Sequence, residues 1–266
     1  MRTIRSLAAL AIVAALSACK PGADAAAPAA NAPATSAPAT EATANNGSAP
    51  AGATSNQPPA PPVSHEATGP APVEGKDYEV VANGQPFDSG DGKIEVEEVF
   101  NYVCPACAAF EPQFAPWAKS LPSDVRVVHV PALFGRMWDD YARAYYATEA
   151  LGVAERTHQA LYDEIHIKQA LKGERGNDGM DAIAAFYGRQ GVDVAQFKSA
   201  ASSFAVESKL AKAKQYAQAE GVGGTPTLII DGKYRITGDP NTTTRADQLK
   251  IADKLIARER AARGGH

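Results

Sequence analysis

The sequence predicts an α/β fold interrupted by a block of helices, and three observations carry that prediction. A β-rich run from Ile94 to Val103 enters Cys104-Pro105-Ala106-Cys107, followed by a helical pattern and a second β-rich run, Val125 to Val130. From about residue 138 to 219, apolar residues recur at helical spacing and no strand-like run appears. Two short β-rich runs then flank Asp231-Gly232, and a helical pattern closes the chain.

Taken in order, Tyr78 to Val81 reads as a short edge strand, and Asn83-Gly84 and Ser89 to Gly92 as turns. Ile94 to Val103 is the strand that feeds the first helix, which Pro112 and Pro116 are expected to kink or shorten. With Val125 to Val130 it forms a strand, helix, strand unit, parallel and right-handed. Met137, Tyr141, Ala144, Thr148 and Leu151 share one helical face, and His158, Leu161 and Ile165 another. Met180 to Tyr187, Val194 to Ala201 and Phe204 to Ala219 add three more helices. Thr227 to Ile230 and Lys233 to Ile236 form a hairpin on a tight Asp-Gly turn, and the last helix spans about Thr244 to Ala262.

The chain has 266 residues, a net charge of -4 and 45% hydrophobic residues, with no basic excess pointing to nucleic acid. Its three cysteines, Cys19, Cys104 and Cys107, are too few for a stapled secreted scaffold or a four-thiolate metal site. Residues 1–19 read as an export signal: Arg2 and Arg5, an apolar run from Leu7 to Leu16 too short to span a bilayer, then Leu16-Ser17-Ala18-Cys19. That ending resembles the bacterial lipobox, which implies a lipidated Cys19 and a periplasmic domain anchored to the envelope. Lys20 after Cys19 leans toward the outer membrane. Residues 20–77 have no Phe, Trp or Tyr and only Val63 and Val73 as larger apolar side chains, so they are expected to form a disordered linker reaching about 40 Å. His65, within it, is given no role. The folded domain is expected over residues 78–266, with the helical insertion at about 138–219.

The chemistry is expected at Cys104 and Cys107. Proline is favoured at the first helical position, so Pro105 makes Cys104 the N-cap, where helix amides and the positive end of the helix dipole favour a thiolate. Residues three apart on a helical turn are near enough for a disulfide, so the pair is a redox switch. Each pKa unit by which Cys104 is lowered favours the dithiol by about 1.4 kcal/mol, or roughly 30 mV. A stabilised thiolate makes a stronger oxidant and a better leaving group.

C-x-x-C is also half of a zinc or iron site, and context narrows it. Here it follows a strand, opens a helix and precedes Gly223-Gly224-Thr225-Pro226-Thr227 by about 120 residues. From about Tyr78 to Ala262 the chain resembles the thioredoxin superfamily, and within it the DsbA-like thiol:disulfide oxidoreductases of the bacterial envelope. The resemblance rests on Glu98 to Cys107, the helical insert and Gly221 to Pro226.

It implies a thioredoxin fold with an inserted α-helical domain, Cys104 as the attacked and attacking sulfur, Cys107 as its buried partner, and Thr225-Pro226 as a cis-proline pair beside them. That backbone would pair with an extended substrate strand. Reduced exported proteins are the implied substrates, a DsbB-like quinone-linked membrane protein the implied reoxidant, and no cofactor is implied. Glu98, six residues before Cys104, stands where the family has an acid. Alternation places it in an apolar row with Ile94, Val96, Phe100 and Tyr102, where a carboxyl could exchange a proton with Cys107; a twisted strand end would instead leave it solvated. Glu95 and Glu97, on the other face, are expected in solvent.

Pro105-Ala106 tunes the redox balance. Alanine at 106 replaces the histidine the family often has there, and Thr225 replaces a common valine. Two other functions fit the same residues: a disulfide reductase or isomerase, and a thiolate metallochaperone. His129, His158, His166 and His266 are not spaced as a metal motif. Tyr141, Tyr145 and Tyr146 read as helix packing. Phe134, Met137 and Trp138 form either an apolar groove near the active turn or part of the core.

Overall fold

The computed structural model describes residues 65, 67, 69–88, 90–237 and 243–264. All belong to one unit, Gln57–His266. The expected signal, Cys19, most of the expected linker, Ser89 and His266 lie outside the described residues.

Five strands form one mixed sheet in the order β1-β5-β4-β2-β3. They are β1 (Tyr78–Val80), β2 (Ile94–Phe100), β3 (Val125–Pro131), β4 (Thr227–Ile230) and β5 (Tyr234–Ile236). β2 and β3 run parallel around α1 (Pro105–Ser120), with Ile94 opposite Val125 and Glu98 opposite His129. β4 and β5 pair antiparallel as a hairpin, β4 against β2 and β5 against β1. Asp231 and Gly232 both take positive φ at the hairpin turn, and a Cβ on Gly232 would lie 2.1 Å from the Gln85 carbonyl carbon.

Between β3 and β4 lie α2 (Arg136–Ala150), α3 (Ala154–Tyr162), a π-helical turn (Asp163–Ile167), α4 (Gly179–Arg189), α5 (Val194–Ala201) and α6 (Phe204–Ala219). α2 packs against α4, α5 and α6. Asp193 and Ser203 cap α5 and α6 by accepting from Gln196 and Val206 amides, so local signals start both helices. Their core joins Phe100, Tyr102, Tyr141, Tyr145, Tyr146, Phe186, Tyr187 and Phe197. A second core lies beneath α1 and α7 (Arg245–Gly264), built on Phe110, Phe114, Trp117, Leu228, Ile230, Leu255 and Ile256.

Three features depart from the sequence reading. α1 continues through Pro112 and Pro116 to Ser120, so the prolines do not shorten it. Each proline costs a helix about 3 kcal/mol, and burying Phe110, Phe114 and Trp117, at about 2–3 kcal/mol each, outweighs that cost.

Glu95 and Glu97 are not solvated: they are 1% and 0% exposed. Strand alternation leaves polar residues outside only when one face meets water, and β2 is covered on both. Phe87 and Asp88 donate backbone N–H bonds to Glu97 and Glu95, at 3.2 and 2.9 Å, and Arg126 pairs with Glu95. Burial, reinforced by the charge of Glu95, pushes the Glu97 carboxyl well above the usual carboxylate range, although Phe87 and Gly232 amides partly offset it.

Ordered chain also begins upstream of Tyr78, where the linker was expected. Glu74 bridges to Tyr78, and His65 sits with Nδ1 2.8 Å from Asp253 Oδ1 and Nε2 2.7 Å from Ser120 Oγ. The Trp117 indole donates to the same Asp253 oxygen at 2.9 Å. His65 therefore bonds to α1 and α7, a partnership that needs residues far apart in the chain.

Candidate active site at the Cys104 turn

Asn101 ends β2 and shapes the turn. Its side-chain amide donates to the carbonyls of Ala132 (2.8 Å) and Trp138 (3.0 Å), while its Oδ1 accepts from the Val103 N–H at 3.1 Å. These bonds replace the strand ladder, so β2 stops at Phe100 and not at Val103. The Cys104 N–H then donates to the Asn101 carbonyl at 3.1 Å.

Cys104 is the N-cap of α1, and Pro105 occupies its first turn. The Cys107 N–H donates to the Cys104 sulfur at 3.4 Å, and the Thr225 carbonyl oxygen lies 3.4 Å from the same sulfur, within reach of its proton when Cys104 is a thiol. Thr225–Pro226 is a cis peptide. Both cysteines are free thiols, Cys104 5% and Cys107 1% exposed. Pro105 is exposed and Ala106 half-buried.

The two sulfurs are held in opposite states. Cys104 is lowered to about 6, chiefly by a hydrogen bond from the Cys107 thiol; burial works against this, and Thr225 and the Cys107 and Ala106 amides add to it. Burial pushes Cys107 far above the ordinary thiol range, and the bond to Cys104, its charge and that of Glu98 push it further. One sulfur is therefore a thiolate at neutral pH and its neighbour a protonated thiol. Only a thiolate attacks a disulfide or leaves readily from one.

Glu98 is 1% exposed, and its Oε2 lies 2.8 Å from His129 Nδ1 across the β2–β3 pair. Its other oxygen is buried without a hydrogen-bond partner. Phe134 is 48% exposed and packs at 5.1 Å on Trp138, which joins the same core as Ala106 and Val222. Among the described residues, no group of three His, Cys, Asp or Glu is placed to hold a metal ion.

Sequence reasoning missed two supports of the turn. Arg245, the first residue of α7, donates to the Ala106 carbonyl at 2.5 Å, and His166, on the π-helical turn, bonds through Nε2 to the Tyr102 carbonyl at 2.7 Å. Neither has a local signal, because each partner is more than sixty residues away in sequence. The pairing of Glu98 with His129 was within reach, since counting a parallel register along Ile94–Phe100 and Val125–Pro131 sets them opposite one another.

A low-pKa cysteine capping a helix, a protonated partner one turn on and the Thr225 carbonyl of a cis Thr–Pro bond against the first sulfur define a thiol:disulfide oxidoreductase on a thioredoxin fold. The DSBA-like thioredoxin domain matches residues 95–250. The thiol:disulfide interchange protein DsbA of Pseudomonas aeruginosa is 40% identical over 192 residues, which span 71% of this chain and 86% of that protein. That of Pseudomonas syringae pv. tomato is 40% identical over 196 residues, 72% of this chain and 86% of its own. The crystal structure of the oxidoreductase DsbA from Xylella fastidiosa aligns with a TM-score of 0.67 and 40% identity, over 71% of this chain and 98% of that one. The chain belongs to the DSBA-like thioredoxin domain family.

Proposed function

We propose that this protein works in the oxidising direction, donating the Cys104–Cys107 disulfide to reduced proteins exported to the periplasm. A substrate thiolate attacks the Cys104 sulfur; the Cys104–Cys107 bond breaks, and Cys107 leaves with the electron pair and takes up a proton, with Glu98 as the proposed donor. A second substrate thiolate then attacks the substrate sulfur of the mixed disulfide and expels Cys104 as a thiolate. The substrate leaves oxidised and the enzyme reduced by two electrons. Thr225 and Pro226 present the backbone edge for an extended substrate segment, and Pro105 and Ala106 set the surroundings of the leaving sulfur.

The observation that carries this reading is the Cys104 sulfur at the N-cap of α1, accepting the Cys107 N–H at 3.4 Å. The Cys107 thiol and that setting lower its pKa to about 6, and a thiolate stabilised in the folded dithiol makes the disulfide a stronger oxidant. Equilibration with glutathione tests it. The expected potential lies well above the roughly −270 mV of thioredoxin. A value at or below that would instead fit a reductase or isomerase.

Turnover requires a reoxidant, proposed as a DsbB-like, quinone-linked membrane protein. Residues 1–19 are proposed as a lipoprotein-type signal, Cys19 as the lipidated residue, with an outer-membrane preference from Lys20, and residues 20–77 as the tether of a domain over 78–266. Metabolic labelling with a radioactive fatty acid tests the anchor: label on the natural chain and none on Cys19→Ala is expected, and an unlabelled natural chain would reject it.

A further inference from the structure

The loop that carries Thr225 is held at both ends. Downstream, Thr227 Oγ1 donates to the Gly224 carbonyl at 2.8 Å, and Thr227 pairs with Val99 as β4 joins β2. Upstream, α6 ends at Ala219, and the carbonyls of Glu220 and Gly221 just beyond it both accept from Nη1 of Arg235, the first at 2.6 Å. Between the two ends, a Cβ at Gly223 or Gly224 would meet no atom within 4 Å, so packing does not fix the middle of the loop.

Arg235 lies in β5, paired with Glu79 of β1 on one side and Ile229 of β4 on the other, so the sheet fixes its stem. Its Nη2 pairs with Glu79, an exposed partner of the kind that adds little. The Glu220 carboxyl is buried with Oε2 lacking a hydrogen-bond partner. Burial raises its pKa to about 7, although the Arg235 charge opposes the rise. The guanidinium thus spends Nη1 on two backbone carbonyls and leaves that carboxyl oxygen unpaired. A Cβ on Gly221 would collide with Nη1, and Gly221 takes positive φ, so glycine lets the guanidinium close on the loop.

We propose that Arg235 is a positioning residue for substrate binding: by gripping the Glu220 and Gly221 carbonyls it fixes the upstream end of the loop, and with it the Thr225 backbone beside the Cys104 sulfur. The proposal rests on the reading of Thr225 and Pro226 as the edge that pairs with an extended substrate. Arg235 acts through the loop, from a grip four residues before Thr225. A cation at a helix C-terminus also stabilises the helix. Removing such a cap alone would lower stability and leave substrate affinity as it was.

The test is steady-state oxidation of a fluorescent, extended peptide carrying two cysteines, with oxidised glutathione as the terminal oxidant. The same peptide, N-methylated on the residues flanking its first cysteine, is run beside it and lacks the backbone N–H donors that the loop would accept. Arg235→Ala is expected to raise KM for the plain peptide about 10-fold, the worth of roughly one backbone hydrogen bond, with kcat close to that of the natural chain. Arg235→Lys keeps a cation and loses the planar fork; its KM is expected to fall between, and it serves if Arg235→Ala fails to fold. Glu79→Gln removes only the ion pair and is expected to leave KM as it was. N-methylation is expected to raise KM for the natural chain, and to raise it less for Arg235→Ala.

A natural KM in both Arg235 variants, whatever their thermal stability, would overturn the proposal; the edge reading would still stand if N-methylation weakens binding to the natural chain. Equal handling of the two peptides by the natural chain would overturn both. A loss confined to kcat, or an equal rise of KM in Glu79→Gln, would also overturn the role of the grip.

Discussion

The guanidinium of Arg245 is hydrogen-bonded at 2.5 Å to the carbonyl of Ala106, inside the dipeptide that separates the two active-site sulfurs. With alanine at 106, the positive charge at this turn comes from the start of α7.

Replacing that charge therefore has a defined sign. Arg245→Gln is expected to raise the Cys104 pKa by roughly half a unit and make the protein less oxidising by about 15 mV. Thiolate absorbance against pH and glutathione equilibration measure the two effects. An unchanged pKa would reduce Arg245 to a helix-end contact.

The pH dependence of stability follows from Cys104. Its folded value of about 6 lies below the ordinary thiol value of about 8.5. A group depressed in this way contributes stability that is present above the unfolded pKa and lost as pH falls through the folded one. The reduced protein is thus expected to gain on the order of 1 kcal/mol by pH 7 and a few kcal/mol by about pH 8.5, while the disulfide form lacks this gain. At higher pH Cys107 acts in the opposite sense, because burial holds it protonated when the unfolded chain would release the proton. Denaturant midpoints of both redox forms across this range decide the matter, and a flat reduced-form profile would contradict it.

Asn101→Ala removes the bonds to Ala132, Trp138 and Val103 together and leaves three backbone groups to find other partners. A loss of about 2–4 kcal/mol is expected on unfolding. A loss below about 0.5 kcal/mol would show that the turn forms without its Asx bonds.

Glu97 provides a prediction on the opposite face of the sheet. Its folded pKa is raised, chiefly by burial, so the stability it supports is fully present below 4.5 and is lost as pH rises through the folded value. Glu97→Gln cannot ionise, and the drop in unfolding midpoint between mildly acidic and mildly alkaline solution is expected to shrink. An undiminished drop would place the titration elsewhere.

What was legible in the sequence was what local chemistry dictates. Pro105 fixed the cap at Cys104, Asp231-Gly232 the hairpin, and the apolar spacing the helices of the insert. The family resemblance added the cis peptide at Pro226. Glu95 and Glu97 were misplaced because alternation reveals two faces of a strand and not what covers them; the cover comes from Phe87, Asp88 and Gly232. Arg245 and His65 were beyond reach for the same reason, since their partners are set by tertiary packing.

The parallel match of Glu98 to His129 makes the length of the α1–β3 connection a chemical matter. Side chains on a strand change face at every step, so sliding β3 by one position would put Val128 or Val130 beside the carboxyl and turn the imidazole to the wrong side of the sheet. An insertion or deletion among residues 121–124 would then leave both cysteines in place yet strand the acid behind them, separating the fold's tolerance of loop change from the enzyme's.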